Sequence, residues 1–222
     1  NEGFGIIINN PINAEGGTGN NVIEDCTVCM LGDAYACGVY MGCTEPTGVY
    51  RHPNRVTRTH VNGGHSSHAG FGVNCNTLLD DCSVQGVDRA VFCDTDSIRQ
   101  VQVRNMTARD IKWALDLRAY KDETVIQDIL VTGGFFLFRQ DSPKDWAQAV
   151  LLEDNREKPV CGRIENVRFV GSTFRAGKTM ASKGRITGHT DMPLFESCQW
   201  MGPATWDDVV DQSVKTGDKE AR

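Results

Sequence analysis

No apolar stretch in this 222-residue sequence approaches the roughly 18 to 20 residues that a membrane-spanning helix needs, so no membrane partner is expected. Nor is there a basic run. Lys and Arg number 23 against 29 Asp and Glu, a net charge of −6, and phosphate binding needs a net basic face. A nucleic-acid partner is therefore not expected. Metal-ligand spacing is also missing: Cys26 and Cys29 form a lone C-x-x-C with no second pair. Of the histidines only His60, His65 and His68 group together, and His60 is an outward strand residue. No metal and no cofactor is expected.

What the chain does have is one short phrase in seven copies. Val22-Ile23-Glu24-Asp25-Cys26-Thr27-Val28 gives two apolar positions, a polar pair that turns, then an inward, an outward and another inward residue. The same roles recur in Arg55-Val56-Thr57-Arg58-Thr59-His60-Val61, Leu78-Leu79-Asp80-Asp81-Cys82-Ser83-Val84 and Ser97-Ile98-Arg99-Gln100-Val101-Gln102-Val103. They return in Val125-Ile126-Gln127-Asp128-Ile129-Leu130-Val131, Arg163-Ile164-Glu165-Asn166-Val167-Arg168-Phe169 and Leu194-Phe195-Glu196-Ser197-Cys198-Gln199-Trp200. Short strands that cannot bury their apolar side alone, at a period of roughly 20 to 40 residues, mark a solenoid that stacks its copies.

Composition agrees, since 40% hydrophobic and 23% charged residues suffice for a continuous core and 23 glycines suit a chain that turns often. One domain is expected over residues 1–206, with Trp200 and Trp206 closing the stack and the polar stretch 207–222 as a tail or linker. The opening Asn1-Glu2-Gly3-Phe4 runs at once into strand-like sequence, which reads as a processed chain or an excerpt. Of the nine cysteines, Cys26, Cys82 and Cys198 share the inward slot of the phrase, where other copies place Thr59, Val101, Ile129 and Val167. They read as small buried hydrophobes, mostly reduced, with Cys37 and Cys43 as the exception.

A second strand precedes each phrase, usually opened by Gly or Ala: Gly5-Ile6-Ile7-Ile8-Asn9, Gly38-Val39-Tyr40-Met41-Gly42, Gly70-Phe71-Gly72-Val73-Asn74 and Ala90-Val91-Phe92-Cys93-Asp94. Ala114-Leu115-Asp116-Leu117-Arg118, Ala149-Val150-Leu151-Leu152-Glu153 and Gly184-Arg185-Ile186-Thr187-Gly188 complete the set. Alternation puts the second and fourth residues of most of these inside. Each repeat then has three faces: this strand, and two more joined by the polar turn.

On these residues the chain resembles the right-handed parallel β-helix superfamily, the pectin-lyase-like fold, from Phe4 to Trp206. The resemblance implies an all-β, single-stranded solenoid of about seven to eight coils. It also implies a polar ladder in the tight turn, here Asp25, Arg58, Asp81, Gln100, Asp128, Asn166 and Ser197, of which Arg58 cannot accept a hydrogen bond. Asp80-Asp81 falls in that turn and is no catalytic pair. Loops are longest at 132–148, 170–183 and 44–54; the first carries Phe135, Phe136, Phe138 and Trp146, as a packed flap or an aromatic platform.

Enzymes of the resembled superfamily that cleave acidic polysaccharides work on the outside of the Gly-opened strand. That face has Ile7, Tyr40, Gly72, Phe92, Asp116, Leu151 and Thr187 at its centre and Asn9, Asn74, Asp94, Arg118 and Glu153 along its edge. His65, His68, Asp88, Arg89, Arg109, Asp110 and Lys112 enter it, and Tyr120 and Lys121 leave it. Hydrolysis of a glycoside needs two carboxyl groups roughly 5 to 9.5 Å apart, for which Asp94 and Asp116 on consecutive coils qualify. β-Elimination needs a base and positive charge beside the uronate, for which Arg118, Lys121 and His68 qualify. The plainer reading of the same Asp, Arg and Glu is a salt-bridged ladder. Cys93-Asp94-Thr95-Asp96 is similar to the N-T-D sequence of polygalacturonase-like hydrolases, but Gly63-Gly64-His65 comes too early.

The expected function is polysaccharide recognition, with cleavage by a lyase or glycoside hydrolase mechanism as its enzymatic form. Its catalytic residues would be Asp94, Asp116 and Arg118, and its substrate-binding residues Asn74, His68, Lys121, Glu153, Tyr40 and Phe92. The alternative is a non-catalytic structural module of a virion spike, fibre or decoration protein, forming homo-oligomers such as trimers. Either role implies an extracellular or virion-associated setting.

Overall fold

Strands of three or four alternating residues are stable only when further rungs cover them, and the pairing follows that need. The computed structural model describes residues 3–10, 19–31, 36–43, 52–94, 98–119, 124–139, 148–154, 162–175 and 194–201. Its strands begin with β1 (Gly3–Asn10), β2 (Val22–Glu24), β3 (Thr27–Cys29), β4 (Ala36–Cys43), β5 (Asn54–Thr57) and β6 (His60–Val73). Next come β7 (Thr77–Asp80), β8 (Ser83–Asp94), β9 (Ile98–Arg104), β10 (Thr107–Ile111), β11 (Trp113–Ala119) and β12 (Val125–Thr132). The last are β13 (Phe135–Phe138), β14 (Gln148–Asp154), β15 (Arg163–Val170), β16 (Thr173–Arg175), β17 (Leu194–Glu196) and β18 (Gln199–Met201).

Every strand pair is parallel. Eleven strands form one sheet along β1-β4-β6-β8-β10-β13-β16-β18, with β3 beside β6 and β11 between β8 and β14. Seven form the other, in the order β2-β5-β7-β9-β12-β15-β17. No helix occurs among the described residues. The protein is all-β, made of two many-stranded parallel sheets in which neighbours are successive copies of the repeat. Strands β6 and β8 continue from the residues after the turn into the Gly-opened stretch, so two of the three expected faces belong to one sheet.

The turns set the register. Asp25, Arg58, Asp81, Asn105, Gly133, Gly171 and Ser197 all have φ between 44° and 64°. Each of the first six donates its amide to the residue preceding the next turn: Asp25 to Thr57, Arg58 to Asp80, Asp81 to Arg104, Asn105 to Thr132, Gly133 to Val170 and Gly171 to Glu196, at 2.9 to 3.2 Å. Left-handed backbone suits Asp, Asn and Gly. Arg58 adopts it too, and sends its guanidinium to Asp25 (Nε to Oδ1, 2.7 Å) and to Glu24 on the preceding copy of the repeat rather than to its own turn.

That ladder corrects the expected register of three copies. Gln100, Asp128 and Asn166 are left-handed, at φ 60°, 59° and 50°, but the turns of their repeats lie at Asn105, Gly133 and Gly171. The inward slot after the turn is therefore Cys26, Thr59, Cys82, Met106, Gly134, Ser172 and Cys198, not Val101, Ile129 and Val167. Its carbonyls accept in order: Cys26 from His60 at 2.8 Å, Thr59 from Ser83 at 3.0 Å, Cys82 from Thr107 at 3.0 Å and Met106 from Phe135 at 2.7 Å. Cys26, Thr59 and Cys82 thus stand in one column.

Inside, columns compensate one another in volume. A Cβ on Gly5, Gly38 or Gly70 would come within 2.3 to 2.5 Å of a methyl of Val28, Val61 or Val84 respectively. One copy of the repeat further on, Ala90 replaces the glycine and Ala108 replaces the valine, both fully buried. Toward the C-terminal end the valine column grows to Phe136, Phe174 and Trp200, with Phe136 stacked on Phe174 at 5.3 Å and Phe174 on Trp200 at 4.2 Å. The expected aromatic loop after Thr132 is thereby corrected. Phe135, Phe136 and Phe138 form β13, and Phe136 and Phe138 are core residues. Trp146 and Trp206 lie outside the described residues, as does the tail at 207–222.

The exception made for one pair of cysteines is corrected as well. Cys37 and Cys43 end one extended strand, so their Cα atoms are about 20 Å apart at roughly 3.3 Å per residue, whereas a disulfide needs about 7 Å or less. The seven described cysteines Cys26, Cys29, Cys37, Cys75, Cys82, Cys93 and Cys198 are thiols, not disulfides.

Candidate functional site

The face expected to bear the site is built in register. Ile7 pairs with Tyr40, Tyr40 with Gly72, Gly72 with Phe92, and Asp116 with both Phe92 and Leu151. At its edge Arg118 pairs with Asp94 on one side and Glu153 on the other. The side chains of Asp94 and Glu153, and all of Tyr120, Lys121 and Thr187, lie outside the described residues.

Glycine makes room for the first half of this row. A Cβ on Gly72 would sit 2.7 Å from Cδ2 of Tyr40 and 3.0 Å from Sγ of Cys37, so the tyrosine ring leans over the glycine of the neighbouring strand. The Tyr40 hydroxyl accepts a 2.6 Å hydrogen bond from Nδ2 of Asn74, and Phe4 packs 5.2 Å from its ring. Asn74 and His68 are both buried. His68 falls where β6 changes register against β8, between Ser66 and Ala69.

The second half is a closed ionic cluster. Asp116 has no solvent exposure. Arg89 Nε reaches its Oδ2 at 2.6 Å, while Arg118 donates through Nε to Oδ1 and through Nη2 to Oδ2, both at 2.8 Å. The two guanidinium groups lie 5.1 and 5.4 Å from the ring centroid of Phe92, within cation–π range. Arg89 is also 5.4 Å from the Trp113 ring. Phe92 is buried beneath them. Of the residues expected at the site, the structure brings Asp116, Arg118 and Phe92 into contact, and separately Tyr40 and Asn74.

The residues expected to enter the face from one side tie up among themselves. Arg139 bridges Asp88 (Nη1 to Oδ1, 3.0 Å) and Asp110 (Nε to Oδ1, 3.0 Å) and donates to the carbonyls of Asp110 and Val87. Lys112 lies 3.4 Å from the second oxygen of Asp88. This network pins the register shift within β10, between Arg109 and Ile111, where Asp110 is left-handed at φ 55°. Arg139 and Trp113 were not singled out from sequence. Their signal is weak, because Arg139 follows β13 by one place, Trp113 opens β11, and only the stacking shows what each meets. His60 hydrogen-bonds Oγ of Ser83 at 2.8 Å, and among the described residues no three His, Cys, Asp or Glu side chains converge as metal ligands.

In chemical terms this is a rigid, mixed surface of aromatic rings, guanidinium groups and amides. An acid or base must reach its substrate, and Asp116 is shut off from the outside with both oxygens engaged. Comparison with protein-family models, with curated proteins and with solved structures gave no match.

Proposed function

We propose that the chain is a right-handed parallel β-helix of the pectin-lyase-like kind, and that it recognises polysaccharide on the strand face carrying Tyr40, Phe92 and Arg118 without cleaving it there. The winding is supported by six successive turn-to-turn hydrogen bonds between copies of one repeat. The observation that carries recognition over cleavage is the burial of Asp116 beneath two arginines on a face that otherwise offers rings and hydrogen-bonding groups. Sugars are held by such groups: polar side chains for hydroxyls, ring faces for C–H surfaces.

The test is a panel of acidic and neutral glycans, followed by retention on immobilised glycan, absorbance of unsaturated products and new reducing ends. Retention without product is expected, with Tyr40→Ala weakening it. Product formation abolished by Asp116→Asn in a folded variant overturns the non-cleaving reading.

One observation favours a second reading, a structural module of a virion spike or fibre that forms homo-oligomers. The face satisfies much of its own chemistry, Asn74 with Tyr40 and Asp116 with Arg89 and Arg118. No retention on any glycan, together with a stable trimer in solution, would transfer the assignment to that role.

A further inference from the structure

The smaller sheet carries a groove that the strand-face reading does not use. Strands β9, β12 and β15 lie side by side, and each passes through a left-handed residue at the same level: Gln100, Asp128 and Asn166. These three aligned residues bend three neighbouring strands together, which turns the outer face of the sheet inward. Beyond the bend the next outward column is Gln102, Leu130 and Arg168, in register. The two columns line a groove of about 210 Å³. Its length is three rungs, about 10 Å between the outer two. Among the described residues, β7 and β17 join this sheet only past the bend, through Leu78–Gln102 and Leu194–Arg168, so the groove belongs to these three coils.

Its chemistry is specific in kind. Asp128 accepts from Asn166 Nδ2 at 2.6 Å and from Gln127 Nε2 at 3.0 Å, which leaves each carboxylate oxygen further acceptor capacity. Gln100, Gln102 and Asn166 bring carboxamides, which both donate and accept. Leu130, half-buried, supplies an apolar centre. Arg168 is neutralised by Glu196, with Nη2 to Oε1 at 2.6 Å and Nε to Oε1 at 2.9 Å, so the lining with Glu196 included is not cationic. An anion gains nothing there. A hydroxyl, which donates and accepts at once, matches this mixture, and adjacent hydroxyls on a ring match the neighbouring carboxylate of Asp128 and amide of Asn166. The volume lies below the roughly 300 Å³ at which drug-sized ligands are enclosed, which suits one ring.

We infer that the groove is a subsite for a single neutral sugar residue, separate from the strand face and on the opposite sheet. It takes its class of ligand from the reading of the chain as a glycan-recognition module, but neither its position nor its residues.

The experiment is a titration of the side-chain amide resonances of Gln100, Gln102 and Asn166 in the intact chain. The ligands are the methyl glycosides of glucose, galactose and mannose, and separately glucuronate and galacturonate. A saturable shift with at least one neutral glycoside is expected, with the uronates at least about tenfold weaker, roughly 1.4 kcal/mol. Leu130→Trp, which fills the groove, should abolish the shift. Asp128→Asn, which keeps a residue tolerant of left-handed backbone, should weaken it. Tyr40→Ala should leave it unchanged, so this inference and the strand-face reading fail separately. The proposal is overturned if no neutral glycoside saturates these amides or if the uronates bind as well. It is equally overturned if a folded Leu130→Trp or Asp128→Asn chain binds as the wild type does.

Discussion

Arg118 grips Asp116 with two parallel hydrogen bonds of 2.8 Å each, at a carboxylate closed to solvent and also held by Arg89. A carboxylate in that setting is costly to remove, because the two guanidinium groups, 13% and 20% exposed, would lose their shared counter-charge. Breaking a buried ion pair from one side typically costs about 3–5 kcal/mol. Asp116→Ala is therefore expected to lower unfolding free energy by about that amount, read as a lower urea midpoint at unchanged slope. A loss below about 1 kcal/mol would show the pairs to behave like exposed ones.

The Gly38–Val61 contact predicts a coupled pair. A Cβ on Gly38 would meet Val61 Cγ1 at 2.4 Å and the Gly70 carbonyl oxygen at 2.8 Å. Gly38→Ala should cost about 1–3 kcal/mol through overpacking. Val61→Ala in the same chain should recover part of it, since Ala90 and Ala108 already occupy the equivalent places two copies on. Additive losses in the double-mutant cycle would mean that the carbonyl, not the valine, sets the limit.

Much of this packing was legible in the sequence. The glycine-to-alanine series Gly5, Gly38, Gly70, Ala90 and Ala114 marks one column, and simple alternation places Tyr40, Gly72, Phe92 and Asp116 on one outward row. Copies four to six were legible only to the level of strands. In each of them an amide or carboxylate residue sits at Gln100, Asp128 or Asn166 between alternating apolar residues, and a second left-handed position follows at Asn105, Gly133 or Gly171. Local pattern fits a turn at either place; hydrogen bonding to the neighbouring copies of the repeat decides it. Gly133-Gly134 and Gly171 were the available signal, and reading the turn there would have put Phe136 and Phe174 in the core. The closure of the Asp116 site was not legible for a different reason. Alternation tells which face a carboxylate is on, but not that two long arginine side chains lie across that face.

The two turn glycines separate backbone cost from contact cost. Gly133 and Gly171 have nearly the same φ, 64° and 61°. A Cβ at Gly171 meets nothing within 4 Å, whereas one at Gly133 would lie 2.9 Å from Oδ1 of Asn105. Gly171→Ala should cost about 1–2 kcal/mol, the usual penalty of a left-handed Cβ. Gly133→Ala should cost more, by whatever Asn105 loses in moving aside. Equal losses in urea titrations would show the amide to be freely displaced.

The thiol of Cys82 predicts an alkaline limb in stability. Burial pushes it from its ordinary 9.0 up to about 11, against smaller opposing effects of backbone hydrogen bonds. Burial raises Cys198 in the same direction. A thiol that stays protonated in the native state while ionising in the unfolded chain stabilises the fold fully below pH 9. That contribution is lost progressively as pH rises through 9 toward 11, because unfolding then releases a proton. Other groups titrate in the same range, so the quantity to read is the difference between wild type and Cys82→Ala. The variant, less stable at neutral pH because of its cavity, should lose less between pH 8 and about 10.5. The native thiol should also react with a disulfide reagent at pH 8 only as fast as the chain opens. Parallel pH profiles for the two proteins, or prompt labelling of Cys82 in the folded state, would mean that this column is open to water.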